Sequence, residues 1–196
     1  KLPQIEKSSR LSLNEAHDYA QIFIDNKLIG TIDRTKNERS IKLPPVKQGA
    51  TLTILIEAMG RINFGRAVKD FKGITESVTI DTEINGHDVS YHLKNWVIVP
   101  IPDSYQTAQY AFDKLDETNR CFSPINFSSP SIGYYRDYFD LKKVGDTFLN
   151  LEQWGKGQVY VNGHALGRFW RIGPQQTLYL PGCWLKKGRN EIIVMD

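Results

Sequence analysis

The sequence predicts an all-β protein built as two jelly-roll β-sandwiches in tandem, residues 1–95 and 96–196. Three observations predict it. Apolar and polar residues alternate with period two far more often than they follow helical spacing. Turn residues punctuate the chain at short intervals. A long segment also occurs twice: "QIFIDNKLIG" from Gln21 to Gly30 returns as "QVYVNGHALG" from Gln158 to Gly167. The offset of 137 residues (158 − 21) is too long for a solenoid repeat and suits two successive domains.

Each element of the repeat has a physical reason. Ile22 and Ile24, like Val159 and Val161, can face a core while Gln21, Phe23, Gln158 and Tyr160 face the other way. Asp25-Asn26 and Asn162-Gly163 supply the left-handed residues of a two-residue hairpin turn, with Gly163 the better second residue. The second hairpin is therefore expected to be the better formed. Gly30 and Gly167 mark a bulge or a close approach. A hydrophobic-x-Leu-Pro unit follows in each copy, Ile41–Pro44 and Leu178–Pro181, then a basic turn containing Gly49 or Gly188.

A β-branched strand closes each copy, Thr51–Ile56 and Asn190–Val194. Upstream, Arg10–Leu13 answers Phe148–Leu151. Trp96–Val99 reads as a further strand stopped by Pro100. Only Tyr105–Leu115 has helical spacing, with Ala108, Phe112 and Leu115 on one face, and is expected to be a short helical turn in a connector. The strand Tyr134–Phe139 precedes the second copy, but its partners in the first would fall at or before Lys1. The first sandwich is thus expected to be truncated at its N-terminus and the chain to be a piece of a longer protein.

Composition narrows the function classes. Hydrophobic residues make up 40% and charged residues 24%, an ordinary globular balance. A net charge of +3 spread along the chain makes no case for nucleic acid or a membrane surface. No apolar run approaches the ~20 residues of a membrane-spanning helix. His17, His87, His92 and His164 with Cys121 and Cys183 lack metal-ligand spacing, so no metal and no cofactor are expected. Cys121 and Cys183 are either one disulfide or two buried thiols. No nucleophile elbow or phosphate-cradling glycine loop is present. Glu57, Asp70 and Glu83 are expected to be solvated surface acids rather than a catalytic pair.

Two blocks exceed a generic sandwich: "WGKGQVYVNGHALGRFWRIGPQQTLYLPGCWLKKGRNEIIV" from Trp154 to Val194, and "AMGRINFGRAVKDFKGITESVTI" from Ala58 to Ile80. With Leu13–Arg34 and "LKNWVIVPI", these resemble the C-terminal part of glycoside hydrolase family 35 β-galactosidases, over essentially the whole chain. The resemblance implies galactose-binding-like jelly rolls that follow a catalytic (β/α)₈ barrel carrying two glutamates of a retaining mechanism. Nothing in this sequence matches the barrel segments that carry them, and a barrel needs ~250 residues of its own. The chain is then a non-catalytic accessory portion, inactive alone, whose partners are the barrel of the same parent chain and, through it, a terminal β-galactoside. An independent carbohydrate-binding module is the alternative, and protein–protein adhesion a third reading. The resemblance favours a periplasmic or extracellular location.

Site candidates follow from the same comparison. The loop Met59–Arg66 carries Arg61, Asn63, Phe64 and Arg66. In the resembling family this segment faces the barrel, where it docks or reaches the edge of the sugar pocket. Many relatives carry Tyr at the position of Phe64, so Phe64 would lack any hydroxyl contact. An exposed docking face would also permit dimerisation. Trp154, Trp170 and Trp184 are expected to fill the core or an interface, with a lectin-like patch as the alternative. Arg168 and Arg171 are expected in a cation–π contact or an inter-domain ion pair.

Overall fold

The computed structural model describes residues 1–66, 68–114 and 133–196. They form two compact units, 1–98 and 99–196.

The first unit contains β1 (Ser9–Leu13), β2 (Ala16–His17), β3 (Tyr19–Ile24), β4 (Lys27–Asp33), β5 (Ser40–Leu43), β6 (Leu52–Glu57), β7 (Gly73–Ile74), β8 (Val78–Ile84) and β9 (His87–His92). One sheet has the order β5-β1-β8-β9, the facing sheet β4-β3-β6, and β2 pairs with β7. All these pairings are antiparallel. The core lies between the two larger sheets, where Leu11, Leu13, Ile22, Ile32, Leu43 and Ile80 are fully buried. Each such side chain contributes roughly 1.5–3 kcal/mol of transfer free energy.

The second unit contains α1 (Tyr105–Lys114), β10 (Tyr134–Leu141), β11 (Thr147–Asn150), β12 (Lys156–Val161), β13 (His164–Trp170), β14 (Thr177–Leu180) and β15 (Gly188–Met195). Its sheets are β10-β15-β12-β13 and β11-β14. Leu151, Val159, Val161, Phe169, Leu178 and Leu180 fill the space between them.

The repeat is structural as well as textual. β3 pairs with β4 and β6 as β12 pairs with β13 and β15, and β1 pairs with β5 as β11 pairs with β14. The bulge falls between Ile22 and Phe23 in one copy and between Val159 and Tyr160 in the other, the same step of the motif. Gly30 and Gly167 sit opposite these bulges for different reasons. A Cβ on Gly30 would press on Ile41 at 3.1 Å, whereas Gly167 adopts φ +127°. Leu43 and Leu180, the leucines of the two Leu-Pro units, both point into their cores.

Both hairpin turns place two residues in the left-handed region: Asp25 (φ 47°) and Asn26 (φ 67°), Asn162 (φ 48°) and Gly163 (φ 85°). Each first residue is also tied to the closing strand. Asp25 N–H donates to the Thr51 carbonyl at 3.0 Å and Asp25 Oδ1 accepts from Thr51 N–H at 2.8 Å. Asn162 makes the same reciprocal pair with Glu191, at 3.1 and 3.0 Å. A third turn of this kind, Asn85-Gly86, joins β8 to β9 and was not anticipated from the repeat.

Three expectations need correction. The helical segment is more than a turn: α1 spans ten residues and lies on the outer face of the sheet β10-β15-β12-β13. Its Ala108 is fully buried with Tyr160 and Ile193, while Tyr105, Phe112 and Tyr134 pack around them. Leu115 lies outside the described residues. Trp96–Val99 forms no strand; Val97, Ile98 and Val99 are 87%, 85% and 72% exposed. β-Branched composition makes a strand only where an edge is available to pair with. Cys183 is exposed rather than buried, and Cys121 lies outside the described residues.

Asn26 occupies a left-handed position that glycine fills without Cβ strain. Asn26→Gly is expected to raise the stability of the first unit by about 0.5 kcal/mol, read as a higher urea midpoint; an unchanged or lower midpoint would contradict the turn assignment.

Candidate functional site

The segment between β6 and β7 is the longest stretch of the first unit without regular structure, and it contains Arg61, Asn63, Phe64 and Arg66. All four side chains are exposed, Phe64 at 89%. Phe71, near the far end, is 75% exposed. Two large apolar side chains are thus presented to solvent from one loop.

What holds this loop is an ionic cluster built from residues far apart in sequence. Asp18, between β2 and β3, and Asp70, near the end of the loop, have side chains only 7% and 6% exposed. Arg34, just after β4, donates through Nη1 to Asp18 at 2.6 Å and grips both oxygens of Asp70 at 2.9 and 2.8 Å. Lys72 Nζ lies 2.7 Å from Asp18 Oδ2 and 2.7 Å from Asp70 Oδ2. Two cations meet two carboxylates, so the cluster is neutral and its desolvation cost is offset by close, directional bonds.

The cluster grips both ends of the loop. Met59 N–H donates to Asp18 Oδ2 at 2.9 Å at the start, while Asp70 and Lys72 are themselves its end. His17 adds a further tie. Its Nε2 faces Glu15 Oε2 at 2.7 Å, and its Nδ1 faces the Phe71 carbonyl and, at 3.4 Å, Asp70.

The charges are strongly polarised. Hydrogen bonds from Arg34 and then Lys72 hold the Asp70 carboxyl well below its usual range. Burial alone would raise Asp18, but bonds from Lys72, Arg34 and Met59 N–H outweigh it and its pKa is also lowered. Arg34 is raised by the same two carboxylates. For Lys72, burial works against the charge and the bonds to Asp18 and Asp70 overcome it. The His17 hydrogen bond lowers Glu15. Carboxylates locked this firmly to cations are poor proton donors near neutral pH, so the cluster organises structure rather than acid–base chemistry.

Asp70 is therefore not the solvated acid expected from sequence. Its partners converge only through β-sheet packing; the one local sign was charged Asp18 standing directly before the apolar alternation of β3. Glu83 does lie on the surface, 2.9 Å from Lys7.

The second copy roots its backbone in the same place with different chemistry. Arg34 N–H donates to the Asp18 carbonyl at 3.0 Å; 137 positions on, Arg171 N–H donates to the Gly155 carbonyl at 2.8 Å. Glycine replaces the aspartate there, and the carboxylate comes from Asp196, whose Oδ1 accepts from Gly155 and Lys156 N–H at 2.9 Å each. Burial raises the Asp196 pKa, against those two backbone bonds and the Arg171 charge.

Trp154 and Trp184 pack against the second core, whereas Trp170 is half-buried beneath a lysine. Trp154 meets Tyr135 and Phe169 edge-on at centroid distances of 5.2 and 6.5 Å. Trp170 carries Lys156 Nζ over its ring at 5.1 Å. Trp184 is stacked by His164 at 4.7 Å with rings 10° from parallel. Arg168 reaches Asp103 at 3.6 Å within its own unit.

A shallow depression of about 940 Å³ lies on the outer face of β5-β1-β8-β9. Arg10, Lys42, Asp81, Glu83 and Asp88 line it together with serines, and no aromatic ring does. Such a surface suits water better than the apolar face of a sugar.

A family model described as the first all-beta domain of beta-galactosidase matches residues 1–102. A second, the galactose-binding domain of beta-galactosidase, matches 132–190. The chain belongs to the β-galactosidase family. The galactose-binding description also fits the jelly-roll strand pairing of the second unit. Among its relatives, beta-galactosidase-1-like protein 3 of Rattus norvegicus is 36% identical over 185 residues, covering 92% of this chain and 26% of that protein. Beta-galactosidase 17 of Arabidopsis thaliana is 30% identical, covering 97% and 29%. The beta-galactosidase of Bos taurus is 33% identical, covering 94% and 28%. The chain thus spans about a quarter of the length of these relatives and corresponds to their accessory β-domains.

The ionic root is expected to make the first unit acid-labile. Asp18 and Asp70 have folded pKa values below their unfolded ones, so their stabilisation is fully present above the ordinary aspartate value of about 3.9 and is lost as pH falls below it. The protection factors of the Ile22 and Ile32 amides, relative to their intrinsic exchange rates, are expected to fall steeply below about pH 4. Asp18→Asn should lower protection at pH 7 and flatten that acid dependence; an unchanged profile would show that the cluster does not carry stability.

Proposed function

We propose that this chain is the accessory β-portion of a β-galactosidase that removes terminal β-linked galactose, its catalytic glutamates lying in a separate barrel domain. The first unit braces that barrel through the Met59–Lys72 loop, and Phe64 forms part of the edge of the sugar pocket. The observation that carries this reading is the loop itself: both ends are fixed in a buried ionic cluster, with Phe64 held out at 89% exposure between Arg61 and Arg66 and Phe71 at 75%. A loop that merely connects two strands has no need of such an anchor. One that must meet another domain benefits, because the ordering cost is met before contact.

Arg61 and Arg66 suit hydrogen bonding to carbonyls and carboxylates of a barrel surface. Phe64 has no hydroxyl, so its role at a pocket edge is apolar contact with a sugar ring face. The reading as an independent carbohydrate-binding module gains no support from Trp154 and Trp184, which pack on the core, from Trp170, whose ring carries Lys156, or from the ring-free depression of the first unit.

Two measurements test the proposal. The 196-residue chain should not hydrolyse a chromogenic β-galactoside; turnover that co-purifies with it to homogeneity would place catalysis in these domains. In the full-length protein, Phe64→Ala should raise KM about fivefold while leaving kcat within about twofold and Tm unchanged. A fall in Tm with KM untouched would assign Phe64 to docking alone.

A further inference from the structure

The internal repeat exposes a difference between the two copies. In the second unit β15 is a central strand: β12 pairs along one edge, and β10 runs antiparallel along the other for eight residues, Tyr134 opposite Met195 to Leu141 opposite Gly188. Its counterpart β6 has only β3 beside it, and among the described residues no strand pairs with the opposite edge.

The geometry of that edge is defined. Asp25 bonds reciprocally with Thr51, so alternation turns the backbone groups of Thr53 and Leu55 toward β3 and those of Leu52, Ile54 and Ile56 outward. The sequence Leu52-Thr53-Ile54-Leu55-Ile56 is β-branched and apolar, with no charge, proline or bulge to discourage pairing. An edge of this kind left open is a hazard that folded proteins ordinarily cover.

The residues that would continue onto it are already in place. Leu2 N–H donates to the Ala50 carbonyl at 2.8 Å, Gly49 N–H donates to the Leu2 carbonyl at 2.9 Å, and Ile5 bridges Val46 in antiparallel fashion. Leu2 is buried in the first core. This pairing, just ahead of β6, matches that of the end of β10 just ahead of the main run of β15, where Leu141 lies opposite Gly188. Extended backward from Leu2, the chain runs antiparallel to β6 and reaches Leu52, Ile54 and Ile56 in turn. Lys1 is already alongside, its ammonium bonded to the Thr51 hydroxyl.

We infer that in the full-length protein the polypeptide immediately N-terminal to Leu2 forms a strand along β6, completing a four-stranded sheet of order β4-β3-β6-(added strand), the counterpart of β13-β12-β15-β10. The occupant is an extended segment of the same chain with apolar residues at alternate positions, because the inward side must join the core of Ile22, Ile54 and Ile56. This strand physically couples the first sandwich to whatever precedes it. The inference rests on strand pairing alone and stands whether or not the preceding region is a glycosidase.

Hydrogen exchange on the full-length protein tests it. The amides of Leu52, Ile54 and Ile56 should exchange at least about a hundredfold more slowly than open-edge amides, matching Thr53 and Leu55. Rapid exchange at those three with Thr53 and Leu55 still protected would overturn it. Protection that disappears on dilution to a monomer would also overturn it, by assigning the edge to a second copy of the chain. Loss of galactosidase activity leaves these amides unaffected, so failure here is distinct from failure of the functional proposal.

Discussion

The register between β3 and its two neighbours, repeated between β12 and its own, is the constraint from which the rest of this molecule follows. A two-residue turn with left-handed residues fixes where the hairpin reverses. The bulge one step later lets the side chains before and after it keep their faces. With those fixed, Ile22 and Val159 must point inward, since a slip of one residue would turn the apolar row out to solvent. The closing strand is then placed by the reciprocal bonds from Asp25 and Asn162. Gly157 shows how little freedom remains: a Cβ there would sit 1.7 Å from the Met195 carbonyl oxygen.

Given one shared frame, the copies diverge in what they lay on it. In the second unit α1 covers the outer sheet face, and Tyr160 and Gln158 are buried although they point away from the core. Asp103, just ahead of that helix, accepts from the Tyr160 hydroxyl at 2.7 Å, and burial pushes the Tyr160 pKa upward with help from that bond. In the first unit the equivalent Gln21 and Phe23 are only half-buried, and the structural effort goes to the far end of the sheet, where Asp18 and Arg34 anchor the long loop. A shared backbone bond, Arg34 to Asp18 and Arg171 to Gly155, carries an ionic cluster in one copy and a carboxylate from the C-terminal residue in the other.

This division explains what could be read from sequence. The hairpins, the Leu-Pro units and the family blocks were legible because each is encoded by residues within a few positions of one another. The helix was legible from the spacing of Ala108 and Phe112, but its role was not, since that depends on which sheet face needs a cover. Trp96–Val99 misled because composition records what a segment can do and not whether an edge waits for it. The ionic root was least visible. Asp18 and Asp70 lie 52 positions apart (70 − 18) among twenty-two acids, with nothing local to pair them, and only the folded sheet brings them to one guanidinium.

An ionic anchor is an expensive choice, since an apolar plug could have stabilised the same place at lower desolvation cost. What hydrophobic packing cannot supply is direction. Arg34 binds Asp70 through two parallel bonds, which fixes orientation as well as distance, and Lys72 bridges the two carboxylates from another side. The loop therefore leaves and re-enters the sandwich along set lines, with Arg61, Asn63, Phe64 and Arg66 exposed between them. Phe64 and its flanking arginines thereby gain a defined point of presentation on the surface without being packed.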